Sequence, residues 1–97
     1  MSELFAITEF CMLHEIDPSF IYSLQQEGLI TITTNDSDNF VEEEELHRLE
    51  IYTRMHSQLG INTAGIDAIS HLLEKMRNMQ DELNALKTRL NLYEGTD

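Results

Sequence analysis

The sequence has little of what secreted or membrane-spanning proteins contain. Cysteine occurs once, at Cys11, which excludes an internal disulfide framework. No apolar run is long enough to cross a bilayer, and we expect no secretion signal, because the chain does not start with a positive charge followed by an apolar segment. We therefore expect a soluble, cytoplasmic protein whose 97 residues form one small domain, or one domain with an extended helix.

Basic residues are also scarce. The chain has 6 Lys and Arg against 18 Asp and Glu, a net charge of −12, and all six basic residues follow position 47. Proteins that bind DNA draw much of their affinity from Lys and Arg contacts to phosphates, so the acidic half, residues 1–47, is expected to repel a duplex. A basic protein surface would be attracted to it instead.

The sequence lacks the combinations of residues that support catalysis or metal binding. It has no nucleophile with a base and an orienting group, and no glycine-rich phosphate loop, so we predict neither an enzyme nor a cofactor. Cys11 and His14 have the spacing of half a metal site. Two ligands do not make a zinc site, so we predict no metal and favour a buried core cysteine.

Two short helices are predicted in the first 28 residues. Apolar spacing of three and four residues predicts a helix within residues 5–14, with Thr8 as its N-cap. Asp17 and Pro18 are suited to cap and begin a second helix, which Gly28 would end. The apolar stripes of the two helices are Ile7, Phe10, Cys11 and His14, and then Phe20, Ile21 and Leu24.

A β-hairpin and a third helix follow. Residues 29–34 are rich in β-branched side chains, and residues 35–39 form a turn cluster before residues 40–41. Glutamates at positions 42–45 then open a helix, where the positive end of the helix dipole favours carboxylates, and Gly60 ends it. The predicted buried stripe of this helix is Leu46, Leu49, Tyr52, Met55 and Leu59.

A long fourth helix is predicted from Asn62 or Thr63, with no proline and, after Gly65 in its first turn, no glycine before Gly95. Its apolar residues form a heptad seam: Ile69, Leu72, Met76, Met79, Leu83, Leu86, Leu90 and Tyr93. The seam either joins two copies in a homodimer, which we favour, or folds back over the core of its own chain. A parallel pair would place Glu82 opposite Lys87 and Arg89 opposite Glu94 of the second copy, and an antiparallel pair is also open.

The order of these elements resembles the winged helix-turn-helix of MerR-family regulators. The resemblance covers roughly residues 5–75 and implies a mainly α fold: a MerR-like winged helix domain at 1–61 with a small β-hairpin wing, followed by a long coiled-coil helix at 62–97. The similar segments are residues 7–11, 16–21, 27–30, 43–49 and 59–61, with Phe40, Ile66 and Ile69.

The sequence departs from the MerR pattern at the positions that grip DNA. MerR-type regulators place an Arg in the recognition helix and a Gly-Tyr-Arg in the wing. The corresponding segments here read Tyr22-Ser23-Leu24-Gln25 and Asn39-Phe40-Val41. Both arginines are absent, which counts against a DNA-binding MerR-family transcriptional regulator, the alternative function.

The chain is more similar to the CbpM family of chaperone modulators, which share the MerR-like architecture. The likeness lies in Ile7-Thr8-Glu9-Phe10-Cys11, the acidic opening of the third helix and the Leu-rich last helix. It implies a protein that binds the J-domain of a DnaJ-like co-chaperone, CbpA, and inhibits the work of that co-chaperone with the DnaK-type chaperone. The acidic half suits such a basic partner on physical grounds alone.

The candidate partner-binding residues are acidic or exposed side chains of the second helix, the wing and the third helix. The two aspartates, the four consecutive glutamates and the tyrosine also have a purely structural interpretation, as turn formers, dipole stabilisers and a partly buried aromatic. They are Tyr22, Gln26, Glu27, Asp36, Asp38, Glu42, Glu43, Glu44 and Glu45. A third hypothesis is a passive oligomerisation adaptor in which the heptad seam is the function.

Overall fold

A computed structural model describes residues 3–94 of the chain. It divides into two compact units, Met1–Asp67 and Ala68–Asp97, whereas the predicted boundary lies after Ile61. The described residues form three strands and four helices: β1 (Leu4–Ala6), α1 (Ile7–His14), α2 (Pro18–Gln26), β2 (Thr33–Asn35), β3 (Asp38–Glu42), α3 (Glu43–Leu59) and α4 (Thr63–Glu94).

The first helix is shorter than predicted because a strand precedes it. Phe5 pairs with Val41 and Ala6 with Phe40, so the start of the predicted helix is extended backbone in β1. Ala6 is the N-cap of α1 and makes no side-chain cap bond, so the predicted cap at Thr8 is wrong. Strand pairing with a distant segment overrode the local helical spacing.

The second helix has the predicted cap. The Asp17 carboxylate accepts a hydrogen bond of 2.9 Å from the Ser19 backbone N–H, and Pro18 occupies the first helical position. Hydrogen bonds from the backbone and the side chain of Ser19 hold the pKa of Asp17 below its ordinary value of 3.8. Gly28 follows the helix with a φ of 75°, which a glycine adopts without steric cost.

The hairpin forms a three-stranded antiparallel sheet with the strand order β1-β3-β2. Its turn consists of Asp36 and Ser37, with φ values of 49° and 70°, the positive pair typical of a tight hairpin turn. The predicted strand over 29–34 is wrong over residues 29–32, because β2 begins only at Thr33. Leu29 and Ile30 are both buried in the core. Successive side chains of a strand point to opposite faces of the sheet, so both would not be buried in a strand with one face in solvent.

The core of the N-terminal unit is made by apolar residues from both helices of the helix-turn-helix, from β3 and from α3, closed by the first turn of α4. Phe5, Ile16 and Tyr22 pack against it from the side, partly buried. The buried members are Ile7, Phe10, Cys11, Phe20, Ile21, Leu24, Leu29, Ile30, Val41, Leu49, Tyr52 and Ile66.

The third helix begins one residue later than predicted, because Glu42 is the last residue of β3 and the N-cap of α3. Leu49 and Tyr52 are buried as expected, but Leu59 is 70% exposed, so its place in the buried stripe is wrong. It is the last residue of α3 before Gly60, which takes a left-handed conformation with φ 67° and ends the helix as predicted.

The fourth helix is continuous over 32 residues, about 48 Å. At its start the Asn62 side chain accepts a 2.8 Å hydrogen bond from the Gly65 N–H. In the heptad seam Ile69 is partly buried, and the seven later residues are between 47% and 85% exposed.

None of the helices in residues 3–94 combines the length and the apolar character that a membrane crossing requires.

Alanine substitutions of two leucines in α3 test which residues form the core. Leu49 is fully buried, so Leu49→Ala is expected to lower the free energy of unfolding by about 2–5 kcal/mol. The exposed Leu59 gives the matched control, and Leu59→Ala is expected to change it by about 0.5 kcal/mol or less. Urea unfolding followed by circular dichroism measures both, and equal losses would contradict the assigned core.

Candidate functional site

The structure separates the candidate acidic residues into two groups along β3. Asp36 and Asp38 lie at the exposed turn of the hairpin, whereas Glu42 lies at the other end of the strand and leads into α3. Four residues of extended chain place Asp38 about 13 Å from Glu42. We call these two groups together the acidic band: one lies at the hairpin turn and the other at the first turn of α3.

Tyr22 joins the recognition helix α2 to the wing. Its hydroxyl accepts a 2.8 Å hydrogen bond from the Asn39 side-chain amide, and the oxygen of that amide accepts a 2.8 Å bond from the Thr34 hydroxyl. The ring is partly buried against the core. Tyr22 thus holds α2 and the hairpin in one arrangement, a structural role beside the predicted partner contact.

A cleft of about 330 Å³ lies between the approach to β2 and the beginning of α3. Inside it, a Glu45 carboxylate oxygen accepts a 2.7 Å hydrogen bond from the Thr31 backbone N–H, so Glu45 ties the wing to α3. Glu42 and Glu43 are exposed. The residues lining the cleft are Thr31, Thr33, Glu42, Glu44, Glu45 and Arg48.

The recognition helix presents a polar surface without a basic residue. Gln25 and Gln26 are exposed at the end of α2, and Glu27 follows them, also exposed. The helix itself, Pro18–Gln26, contains no charged residue. Phosphate and base contacts from Arg or Lys, which usually carry DNA recognition, have no source on this helix.

Cys11 is a core residue, as predicted. Its side chain is buried in α1, and burial, with a smaller contribution from the Asp17 charge, raises the pKa of the thiol above its ordinary 9.0. His14 is exposed and its ring stacks on Phe10 at a centroid distance of 4.2 Å. Across the described residues, no three His, Cys, Asp or Glu side chains are placed to hold a metal ion.

The sequence pattern did not predict the exposed apolar pair on α1. Met12 and Leu13 are 80% and 79% exposed, although both side chains are large and apolar. Their exposure could have been predicted from the helical spacing, because both lie outside the stripe of Ile7, Phe10 and Cys11. Contiguous exposed apolar surface is a feature of interaction sites, whereas exposed apolar residues that lie singly are common.

Comparison with protein-family models gives one match. A model described as MerR HTH family regulatory protein matches residues 5–88, which is most of the chain. The chain belongs to this family. Searches among curated proteins and among solved structures gave no significant match. The MerR family assignment agrees with the observed helix-turn-helix, wing and long last helix, and indicates a MerR-like regulator or a related modulator.

The bond between Tyr22 and Asn39 can be measured by a double-mutant cycle. Tyr22→Phe and Asn39→Ala are each expected to lower the free energy of unfolding by about 1 kcal/mol, because each removes the shared hydrogen bond. The double variant should lose less than the sum. Strictly additive losses would mean that the two side chains do not interact in solution. The measurement is chemical unfolding of the three variants beside the wild type.

Proposed function

We propose that this MerR-family protein is a CbpM-like modulator that binds the J-domain of a DnaJ- or CbpA-type co-chaperone through its acidic wing and α3 surface. One observation carries the proposal: the charged Asp, Glu, Lys and Arg residues of the helix-turn-helix and wing, through Glu45, are all acidic. A regulator fold whose recognition helix is uncharged and whose wing is acidic is suited to a basic protein instead.

DNA binding has little support from these elements. Neutralising phosphates requires Lys or Arg, and the first basic residue in the chain, Arg48, lies in α3 beside three glutamates that line the cleft. The wing presents Asp36 and Asp38 at its turn, where negative charge would meet the negative backbone of a duplex. The helix-turn-helix is thus retained without the charges that serve nucleic acid.

A basic J-domain helix suits the band for two reasons. Opposite charge steers the encounter and fixes the orientation of the partner, and the band offers carboxylates at both ends of β3 rather than at one point. Occupying the basic J-domain surface would block recruitment of the DnaK-type chaperone. This mechanism needs no catalysis and no cofactor, and it places the protein in the cytoplasm with its co-chaperone.

The heptad seam of α4 extends the proposal to a homodimer. Its exposed apolar residues recur every three and four positions along one helix, the pattern that a second helix covers by knobs-into-holes packing. Glu82 and Arg89 flank this seam, which suits charge pairing with a second copy. Two copies would present two acidic bands to their partners.

Charge reversal tests the acidic band. Glu42 and Glu43 are exposed, so Glu42→Lys with Glu43→Lys is expected to leave the fold intact. It should weaken binding of an isolated J-domain by about tenfold or more at low ionic strength, since it removes attraction and adds repulsion. Titration calorimetry at low and high salt measures the effect, which should shrink as salt screens the charges.

The control is Glu74→Lys with Asp81→Lys, which makes the same change in net charge on the exposed side of α4 away from the seam. Its J-domain affinity should stay within about threefold of the wild type, because screening limits the effect of distant exposed charges. Equal weakening in both variants would attribute binding to net charge alone, and unchanged affinity in the Glu42/Glu43 variant would contradict the proposed surface.

A second pair of leucines tests the dimer. Leu83 belongs to the heptad seam, whereas Leu92 lies outside it and is more exposed. Leu83→Asp is expected to shift the protein to monomer in analytical ultracentrifugation at micromolar concentration, because a charge in the seam is desolvated on pairing. Leu92→Asp should remain a dimer. A wild-type protein that sediments as a monomer would contradict the dimer outright.

A further inference from the structure

The outward face of α1 carries an apolar pair whose exposure the fold does not explain. Met12 and Leu13 are each about four-fifths exposed. In the described part of the N-terminal unit, the other exposed large apolar residues are Leu4 at the sheet edge and Leu59 at a helix end. Single exposed apolar residues are common, but two adjacent ones on an eight-residue helix form a patch.

The orientation of α1 fixes this patch on the surface. Ile7, Phe10 and Cys11 are buried, and they occupy the side of the helix that faces the core. Met12 and Leu13 fall on the opposite side, where Thr8 and Glu9 precede them by one helical turn. All four residues are exposed, so α1 presents a continuous face with an apolar end and an acidic neighbour.

Charge restricts what can cover the patch. Glu9 lies on the same face, and Glu15 and Asp17 follow the helix, all three exposed. The whole segment 1–47 holds eleven acids and no Lys or Arg. DNA and anionic membranes would be repelled, and a second copy would bring two acidic surfaces together. A helix with apolar side chains flanked by Lys or Arg is complementary to both features.

We propose that Met12 and Leu13 are the apolar anchors of the partner-binding surface and contact an amphipathic basic helix of the J-domain. The inference rests on the proposed function and deepens it, since it adds a second contact region to the acidic band. Interfaces obtain most of their affinity from a few well-buried residues, whereas exposed charge pairs at the rim contribute mainly to the association rate. The acidic band would steer the partner, and α1 would hold it.

The test compares three forms of the full chain against an isolated J-domain. Met12→Ser with Leu13→Ser removes the patch, and because both side chains are exposed, helix content and unfolding midpoint should stay close to the wild type. Its J-domain affinity is expected to fall by at least about tenfold, mostly through faster dissociation. The loss should be the same at low and high salt, unlike the loss from charge reversal at Glu42 and Glu43.

The matched control is Leu59→Ser with Leu92→Ser, which removes two exposed leucines elsewhere in the chain. Its affinity should stay within about twofold of the wild type. Titration calorimetry gives affinities, and surface plasmon resonance gives dissociation rates. Sedimentation of each variant shows whether the patch contributes to self-association, and a change of oligomeric state in the Met12/Leu13 variant alone would overturn the proposal in favour of a contact between copies.

Failure of the inference and failure of the proposed function are distinguishable. If the wild-type protein binds the J-domain and the folded Met12/Leu13 variant binds equally well, the apolar anchor is wrong while the modulator function stands. If the wild-type protein does not bind the J-domain at all, the proposed function itself fails. If both double-serine variants weaken binding equally, exposed apolar area in general is responsible, which also overturns the anchor.

Discussion

The central strand β3 is the element on which the other contacts of the N-terminal unit depend. It pairs with β1 on one side and β2 on the other, buries Val41 in the core, supplies Asn39 to Tyr22, and continues through Glu42 directly into α3. The backbone N–H of Glu43 donates a 3.0 Å hydrogen bond to the Glu3 carbonyl, so the residue before β1 also secures the start of α3. Losing this strand would unpair both edge strands and remove the Asn39 bond that joins the wing to α2.

Family membership suggests a DNA-binding regulator, whereas the charge of the helix-turn-helix and wing suggests a basic protein partner. The MerR match and the observed elements describe a helix-turn-helix regulator, yet the elements that read DNA in such regulators carry carboxylates or no charge. A fold specifies where side chains are presented and not what they bind. Here the wing and α3 present acidic residues, and α1 presents an apolar pair, which together suit a basic amphipathic partner.

Much of the fold could be predicted from local sequence. The Asp17-Pro18 cap, the stop at Gly60 and the continuous last helix follow from strong local preferences, and each is confirmed. The strand β1 could not be predicted in this way, because residues 4–6 become extended only by pairing with β3 more than thirty residues later. Leu29 and Ile30 were misjudged for a similar reason, since β-branched composition does not distinguish a strand from a buried connection. The acidic residues were foreseeable from charge, but the exposure of Met12 and Leu13 depends on which side of α1 meets the core.

The central claim is that this regulator fold binds a basic protein and not nucleic acid. Titration calorimetry of the wild-type protein against an isolated J-domain, with a nonspecific DNA duplex measured in parallel at low and high salt, tests it most directly. The account predicts J-domain binding that weakens as salt increases and no heat of binding to the duplex. Binding to the duplex without binding to the J-domain would contradict both the electrostatic argument and the proposed partner.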